Sequence, residues 1–307
     1  MSIADSMRLS WVGGLTDCTG ARSLTTDKLF KPTNITVSDV SADDVFVYLG
    51  NSKQSSQYFA HEADRFASAS FESLLTCTKS AEYPRATGWL LIKSYYAAFF
   101  ALHALLRLRG WACTRLSTEN LRGINSEVSL LFSGSRRFDA GLYLVKSESG
   151  GRELRCRPLE SSIGGTHEIL WSLLRAYFDD LTNIVLKNPN TDGQALAVLV
   201  ERFLTHINRF GGPKWFSTVR NRLNYSHEYG AWFPYAKSTS DHDRLQAVLS
   251  TWSISPDDTL SDRGDDELVK FAGACAFLVS LCCATVRDLT YRSKPSSPFR
   301  KSCGLLV

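Results

Sequence analysis

The residues best suited to chemistry lie in one stretch near position 220, where a permanent cation, an amide and an imidazole occur close together. The stretch begins with Arg220 and Asn221 and ends with His227. On a helix, residues seven apart differ by about 20° around the axis and lie roughly 10 Å apart along it. Arg220, Asn224 and His227 are therefore predicted to line one side of a helix. Arg222 is predicted to lie well round the helix from His227.

A cation and an imidazole on one side of a helix suit the cleavage of a phosphodiester bond. Arginine is always charged and can bind two phosphate oxygens, including the charge that develops in the transition state. Histidine titrates near neutral pH and can move a proton to or from the ribose 2′-hydroxyl or the leaving oxygen. This chemistry needs no metal ion. The alternative is an ordinary polar helix in which His227 interacts with the C-terminal end, beside Gly230.

Other common catalytic and cofactor motifs do not occur in the sequence, which lacks phosphate-binding glycine loops and a Gly-x-Ser-x-Gly elbow. The pairs His167-Glu168 and His227-Glu228 do not complete a zinc motif, because Trp171 and Ala231 stand where the second histidine is needed. No cysteine pair has Cys-x-x-Cys spacing. We therefore predict neither a metal nor a cofactor, and reduced thiols in a cytoplasmic protein. The net charge of +4 permits an anionic partner.

Helices dominate the predicted fold, which is mainly α. They are expected at about residues 52–80, 84–108, from 166 onward, 193–210, 213–230 and 266–291. The helix at 84–108 is apolar almost all round, as at the centre of a bundle, and is expected to end at Gly110. Thr166 is predicted to cap the following helix. The uncharged run 271–286 is short for a membrane span and is predicted to be a buried core helix, with no membrane partner.

Three parts of the chain depart from this helical pattern. Residues 1–50 are predicted to form an N-terminal arm or cap with one short strand, Val45–Leu49. Residues 111–165 are predicted to be an insertion carrying a small β-hairpin, with strands near 141–145 and 152–156. Residues 292–307 form a basic tail. The tail could hold a phosphate backbone, although the simpler expectation is a solvated and disordered end. The helical domain then spans 51–291.

Three stretches together resemble proteins of the HEPN family. The segment Tyr95–Gly110 resembles the family's signature helix, with its paired tyrosines, small residues and closing glycine. The segment Gly165–Glu168 looks like the start of the next family helix. Arg220 and Asn221 with His227 are similar to the family's catalytic motif, an arginine and a polar residue followed at a short spacing by a histidine. Only Arg220 precedes an asparagine in this stretch, so we assign the motif arginine to it rather than to Arg222.

The resemblance covers roughly residues 52–290 and departs from the family at 111–165. It implies an antiparallel helical bundle, frequent homodimerisation, and often a metal-independent endoribonuclease used as a toxin or in defence against phage. RNA is then the expected substrate, and an antitoxin or a nucleotidyltransferase is a candidate partner. The alternative is a catalytically inactive HEPN scaffold that binds a nucleotide, a nucleic acid or a protein. The expected catalytic residues are Arg220, Asn221 and His227, and the expected substrate-binding residues are Arg222, Asn224 and Tyr225.

Overall fold

The core of the protein is built on long apolar helices, with one antiparallel sheet beside them. The computed structural model describes residues 3–20, 24–31, 35–79, 86–132, 136–159, 165–188, 193–226, 228–232, 241–260 and 264–307. The helices are α1 Ile3–Arg8, α2 Ser52–Lys79, α3 Thr87–Leu108, α4 Thr118–Leu131, α5 Thr166–Leu186, α6 Gly193–Asn208, α7 Lys214–Asn221, α8 His242–Ser250, α9 Pro256–Thr259, α10 Glu267–Arg292 and α11 Pro298–Lys301. The strands are β1 Ile35–Val40, β2 Val45–Leu49, β3 Trp111–Leu116, β4 Gly141–Glu148 and β5 Glu153–Pro158. The prediction of a mainly helical fold is confirmed.

The two most apolar helices, α3 and α10, pack against each other, and α2 lies against both. By length and composition, α3 and α10 could each cross a membrane. However, 67% of the most apolar 18-residue stretch of α3 and 94% of that of α10 are buried inside the protein. Such burial is what an all-round apolar helix achieves in a protein core. The prediction that 271–286 is a buried core helix is confirmed.

The ends of these helices are set by local chemistry. Gly110 follows α3 with φ +79, a left-handed conformation, and a Cβ there would lie 3.0 Å from Ser147 and 3.1 Å from Val12. The predicted end of α3 at Gly110 is therefore confirmed. The prediction that Thr166 caps α5 is wrong. Thr166 is the first helical residue, and Gly165 in the N-cap position has no side chain with which to cap.

The sheet is larger than the small hairpin that the sequence predicts. The hairpin is present as β4 and β5, but β5 also pairs with β2, and the strand order is β1-β2-β5-β4-β3. Val45, Cys156 and Val145 face one another across three strands and are fully buried. A lone hairpin would leave two edges and one apolar face uncovered, which is marginal in water. The arm at 1–50 and the segment at 111–165 therefore contribute to a single sheet.

The basic C-terminal segment packs against the helical body, so the expectation of a disordered end is wrong. Phe299 in α11 and Cys303 are completely buried. The backbone N–H of Cys303 donates to Asp64 Oδ1 of α2 at 3.0 Å, and the hydroxyl of Ser302 donates to the same carboxylate. Two buried apolar side chains and a shared acceptor outweigh the basic composition that suggested disorder.

Candidate functional site

Arg220, at the end of α7, presents a half-buried guanidinium to α3. Its Nη1 donates to Asn221 Oδ1 at 2.7 Å, and its Nη2 donates to the hydroxyl of Tyr96 at 3.1 Å. Its Cζ lies 6.0 Å from the ring centres of Tyr95 and Tyr96 and 5.8 Å from that of Tyr225. Arg220 and Asn221, which the sequence predicts to act together, are thus joined by a direct hydrogen bond.

The charge of Arg220 has no carboxylate partner among the residues that the structure describes. Burial acts to lower the pKa of Arg220, but the hydrogen bond to Tyr96 and the nearby tyrosine hydroxyls together raise it. The Nε–H is buried and has no hydrogen-bond partner in the described part of the chain. A buried donor left unpaired on a cation is costly to the fold. The arrangement therefore suits an anion with several oxygens, such as a phosphate.

The helix that carries Arg220 changes its winding directly afterwards, so the prediction of one α-helix from 213 to 230 is wrong. Residues Arg222–Ser226 form a π-helical turn, and a 3-10 turn follows at Glu228–Gly230. A π turn bonds residues five apart, and such turns are frequent at functional sites. The angular relation between Arg220 and Asn224 therefore differs from that of a straight α-helix. His227 lies outside the residues that the structure describes, and its place beside Arg220 stays a prediction.

Trp232 supports the π turn from the side. Its Nε1 donates to the backbone oxygen of Leu223 at 2.7 Å, and its ring meets Trp89 edge-on with the centres 5.4 Å apart. The ring also lies on Gly88, where a Cβ would be 2.8 Å from it. The close approach to α3 explains why a glycine stands at position 88. The π turn is thus fixed by tertiary contact with α3 as well as by its own backbone bonds.

Removing the indole N–H of Trp232 should destabilise the protein. We expect Trp232→Phe to lower the free energy of unfolding by about 1 kcal/mol, because the Leu223 carbonyl loses a donor while most of the ring packing remains. Urea unfolding followed by circular dichroism measures this change. Trp89→Phe is the matched control, since Trp89 is 56% exposed and makes no hydrogen bond among the described residues. Equal losses in the two variants would contradict the role of the Leu223 bond.

The three predicted substrate-binding residues do not form one group. The ring of Tyr225 is 74% exposed and covers Arg220. Asn224 is only partly exposed. Arg222 extends toward the 3-10 turn, where its Nη1 donates to the Tyr229 hydroxyl at 3.4 Å and its Nε lies 3.6 Å from Glu228 Oε2. Arg222 is thus engaged with the turn that follows the π helix.

A histidine that the sequence analysis treated as a helix-start residue lies at the same site. His167 Nδ1 is 2.9 Å from the hydroxyl of Tyr95, and the same hydroxyl accepts a hydrogen bond from Trp171 Nε1 at 3.1 Å. The His167 ring centre lies 4.4 Å from that of Phe99. Burial lowers the pKa of His167, and the charge of Arg220 lowers it further. The imidazole is therefore neutral near neutral pH.

Tyr95 and Tyr96 also do more than pack the core. Tyr95 is fully buried and its hydroxyl holds His167, whereas Tyr96 is partly exposed and its hydroxyl holds Arg220. The one available signal was that both tyrosines and His167 fall in the segments that resemble the HEPN family. Residue spacing alone could not place them beside Arg220, because they come from different helices.

His103, also on α3, is a core histidine. Its Nδ1 is 2.8 Å from Nη1 of Arg107, whose Nε donates to Glu62 at 2.9 Å. Its ring stacks on Phe66 with the centres 4.6 Å apart. Burial, followed by the charge of Arg107, lowers the pKa of His103 well below its usual value. This histidine stays neutral and supports packing.

The acidic, histidine and cysteine side chains give no further centre in the described ranges. No group of three or more of them is placed to hold a metal ion within the described residues. All eight cysteines are buried and unpaired. Burial raises the thiol pKa of Cys77 to about 11, and burial together with the charge of Arg287 leaves that of Cys283 at about 11 as well. Thiols protonated in this way are poor nucleophiles.

The site therefore combines a half-buried cation, a neutral imidazole and two tyrosine hydroxyls. These groups are carried by α7, α5 and α3, respectively. Comparison of the chain with protein-family models, with curated proteins and with solved structures found no match.

Proposed function

We propose that the protein is a metal-independent endoribonuclease of the HEPN type, with Arg220, Asn221 and His227 as its catalytic residues. The observation that supports this most is the Arg220 guanidinium, which is half-buried, fixed by two hydrogen bonds and without a carboxylate partner among the described residues. A fixed cation at the edge of an apolar region stabilises developing phosphate charge better than a mobile one in water. RNA cleavage in excess EDTA by the wild type, and its loss in Arg220 variants, tests the proposal.

The proposed reaction uses the ribose 2′-hydroxyl as the nucleophile. Arg220 binds two non-bridging oxygens of the scissile phosphate, and Asn221 keeps the guanidinium oriented through its Oδ1. His227 exchanges a proton with the 2′-hydroxyl or with the leaving oxygen. The products are a 2′,3′-cyclic phosphate, or its opened form, and a 5′-hydroxyl. Tyr225, exposed above Arg220, is available to stack on a base.

The biological setting follows from the same resemblance. The helices α2, α3, α5 and α10 correspond in the proposal to the antiparallel bundle of a HEPN domain. The protein acts in the cytoplasm as a toxin or as an effector of defence against phage. An antitoxin or a nucleotidyltransferase is the proposed partner that restrains it. No membrane is involved, in keeping with the burial of both long apolar helices.

Arg220 is expected to matter more than Arg222 for the chemical step. Arg222→Ala should mainly weaken RNA binding and reduce the slope of log affinity against log salt by about 1, because it removes one exposed cation. Cleavage at saturating RNA should stay close to the wild-type rate. Fluorescence anisotropy over a salt series and single-turnover cleavage measure the two effects. A larger loss of cleavage in Arg222→Ala than in Arg220→Ala would show that Arg222 is the motif arginine.

A homodimer is expected if each chain supplies one proton carrier to a shared site. The specific activity should then fall on dilution through the dimer dissociation range, because two motif helices must meet for the reaction. Light scattering and initial rates at matched concentrations measure this dependence. Full activity in a preparation that scatters as a monomer would rule out a shared site.

A further inference from the structure

We propose that His167 is a further catalytic residue of this site, the base that takes the 2′-hydroxyl proton at its Nε2. The inference rests on the proposed ribonuclease function and adds a residue from a different helix to it. Three observations carry it: the way the ring is held, its position relative to Arg220, and the hydrogen bonds of the hydroxyl that holds it.

The imidazole of His167 is fixed but not enclosed. Its Nδ1 is tied to the Tyr95 hydroxyl at 2.9 Å, and its ring lies against Phe99 and meets the edge of Tyr96, 5.8 Å from centre to centre. The side chain is partly exposed, and its Nε2 makes no hydrogen bond among the described residues. A histidine with one nitrogen anchored and the other open is the usual arrangement of a proton carrier.

Adjacent residues of α3 bring His167 and Arg220 to one place. Tyr95 binds the histidine and Tyr96 binds the arginine, and each ring lies about 6 Å from both functional groups. Because Arg220 is near enough to lower the pKa of His167, the two side chains share one electrostatic environment. A phosphate on Arg220 would then hold its own ribose next to the imidazole.

The hydrogen bonds of the Tyr95 hydroxyl are compatible with a base at Nε2 of His167. The phenol oxygen accepts the indole N–H of Trp171, and we infer that it also accepts the N–H of His167 Nδ1, 2.9 Å away. The lone pair of the imidazole is then on Nε2. The titratable and charged groups that face the ring are Arg220 from α7 and Tyr95, Tyr96 and His103 from α3. Burial and the nearby cation keep the ring unprotonated near neutral pH.

Bonds and protons balance in the proposed step. His167 Nε2 takes the proton of the 2′-hydroxyl, and the 2′-oxygen forms a bond to phosphorus. The bond from phosphorus to the 5′-oxygen breaks, and that oxygen takes a proton from the imidazolium of His227. The products are a 2′,3′-cyclic phosphate and a 5′-hydroxyl, with no change in oxidation state.

The test compares single-turnover cleavage by the wild type, His167→Ala and His167→Gln, after circular dichroism has shown that each variant is folded. We expect both variants to cleave about 10² to 10⁴ times more slowly at saturating RNA, with RNA affinity unchanged. Added imidazole should restore part of the activity of His167→Ala, whereas the control His242→Ala should cleave at the wild-type rate with and without imidazole. Tyr95→Phe should shift the acidic limb of the pH–rate profile, since it removes the oxygen that holds Nδ1.

The outcomes separate this inference from the function on which it rests. Cleavage by His167→Ala within about twofold of the wild-type rate would overturn the inference and leave the ribonuclease intact. A loss without imidazole rescue and without a change in the pH–rate profile would also overturn it, because the histidine would then act only through packing. If the wild type does not cleave RNA, both the function and the inference fall.

Discussion

Arg220→Ala is expected to lower the rate of RNA cleavage by about 10² to 10³ at saturating RNA. The guanidinium is held by Asn221 and Tyr96, so in the proposed reaction it needs little reorganisation to stabilise the developing phosphate charge. Alanine removes both the charge and its orientation. Arg220→Lys should recover only part of the loss, because a lysine offers a point charge in place of a planar group with two parallel donors.

Single-turnover cleavage with RNA in excess over its dissociation constant measures this effect without interference from binding. Arg175→Ala is the matched control, since Arg175 is an exposed arginine on α5 that pairs with Asp179 four residues away. The control should cleave at the wild-type rate. An Arg220→Ala enzyme that also retained the wild-type rate would exclude this guanidinium from the reaction.

His227→Ala is expected to slow cleavage by about 10² to 10⁴, the range typical of general acid–base catalysis. The prediction comes from the motif, since His227 lies outside the described residues. Combining the change with Arg220→Ala should cost much less than the product of the two single effects, because in the proposed site both groups act on the same phosphate.

The measurement is again single-turnover cleavage, with His206→Ala as the control for loss of an imidazole elsewhere in the chain. His206 lies in α6, near the backbone oxygen of Lys270. Unchanged cleavage by folded His227→Ala would remove His227 from the site. It would not affect the separate assignment of Arg220 to phosphate binding.

The long helices could be predicted from the sequence because their signal is local. In α3 and α10 apolar residues surround the whole axis, and Gly110 and Asp266 mark one end of each. The sheet could not be predicted in full, although Val45–Leu49 was recognised as a strand. Its pairing with β5 joins residues more than a hundred positions apart, and no local pattern encodes such a pairing.

The sequence did not predict the short helix α4, because its helical signal is weak. In α4 only Leu121, Ile124 and Val128 are buried, so its apolar stripe is narrow. A capping box between Ser117 and Asn120 marks its start, a signal that was present in the sequence but weaker than the surrounding polar pattern.

The candidate site also contains residues whose proximity the sequence could predict and residues that only the fold brings together. Arg220 and Asn221 are neighbours in sequence, and their pairing could be predicted from the motif. Tyr96 and His167 reach the site from α3 and α5, so only the fold brings them to Arg220. The π turn at 222–226 depends on Trp232 binding Leu223 from outside the helix, which helical periodicity cannot indicate.

The central claim is that Arg220 lies in a site that cleaves RNA by attack of the 2′-hydroxyl without a metal ion. The most direct measurement incubates the purified protein in excess EDTA with an end-labelled RNA and with the same RNA carrying 2′-deoxyribose at the cleaved positions. We predict that the wild type cuts the RNA to fragments ending in a 2′,3′-cyclic phosphate or its opened form, that the deoxy-substituted RNA stays intact at those positions, and that Arg220→Ala cuts neither. Cleavage of the deoxy-substituted positions, cleavage that EDTA abolishes, or equal cleavage by Arg220→Ala would contradict the claim.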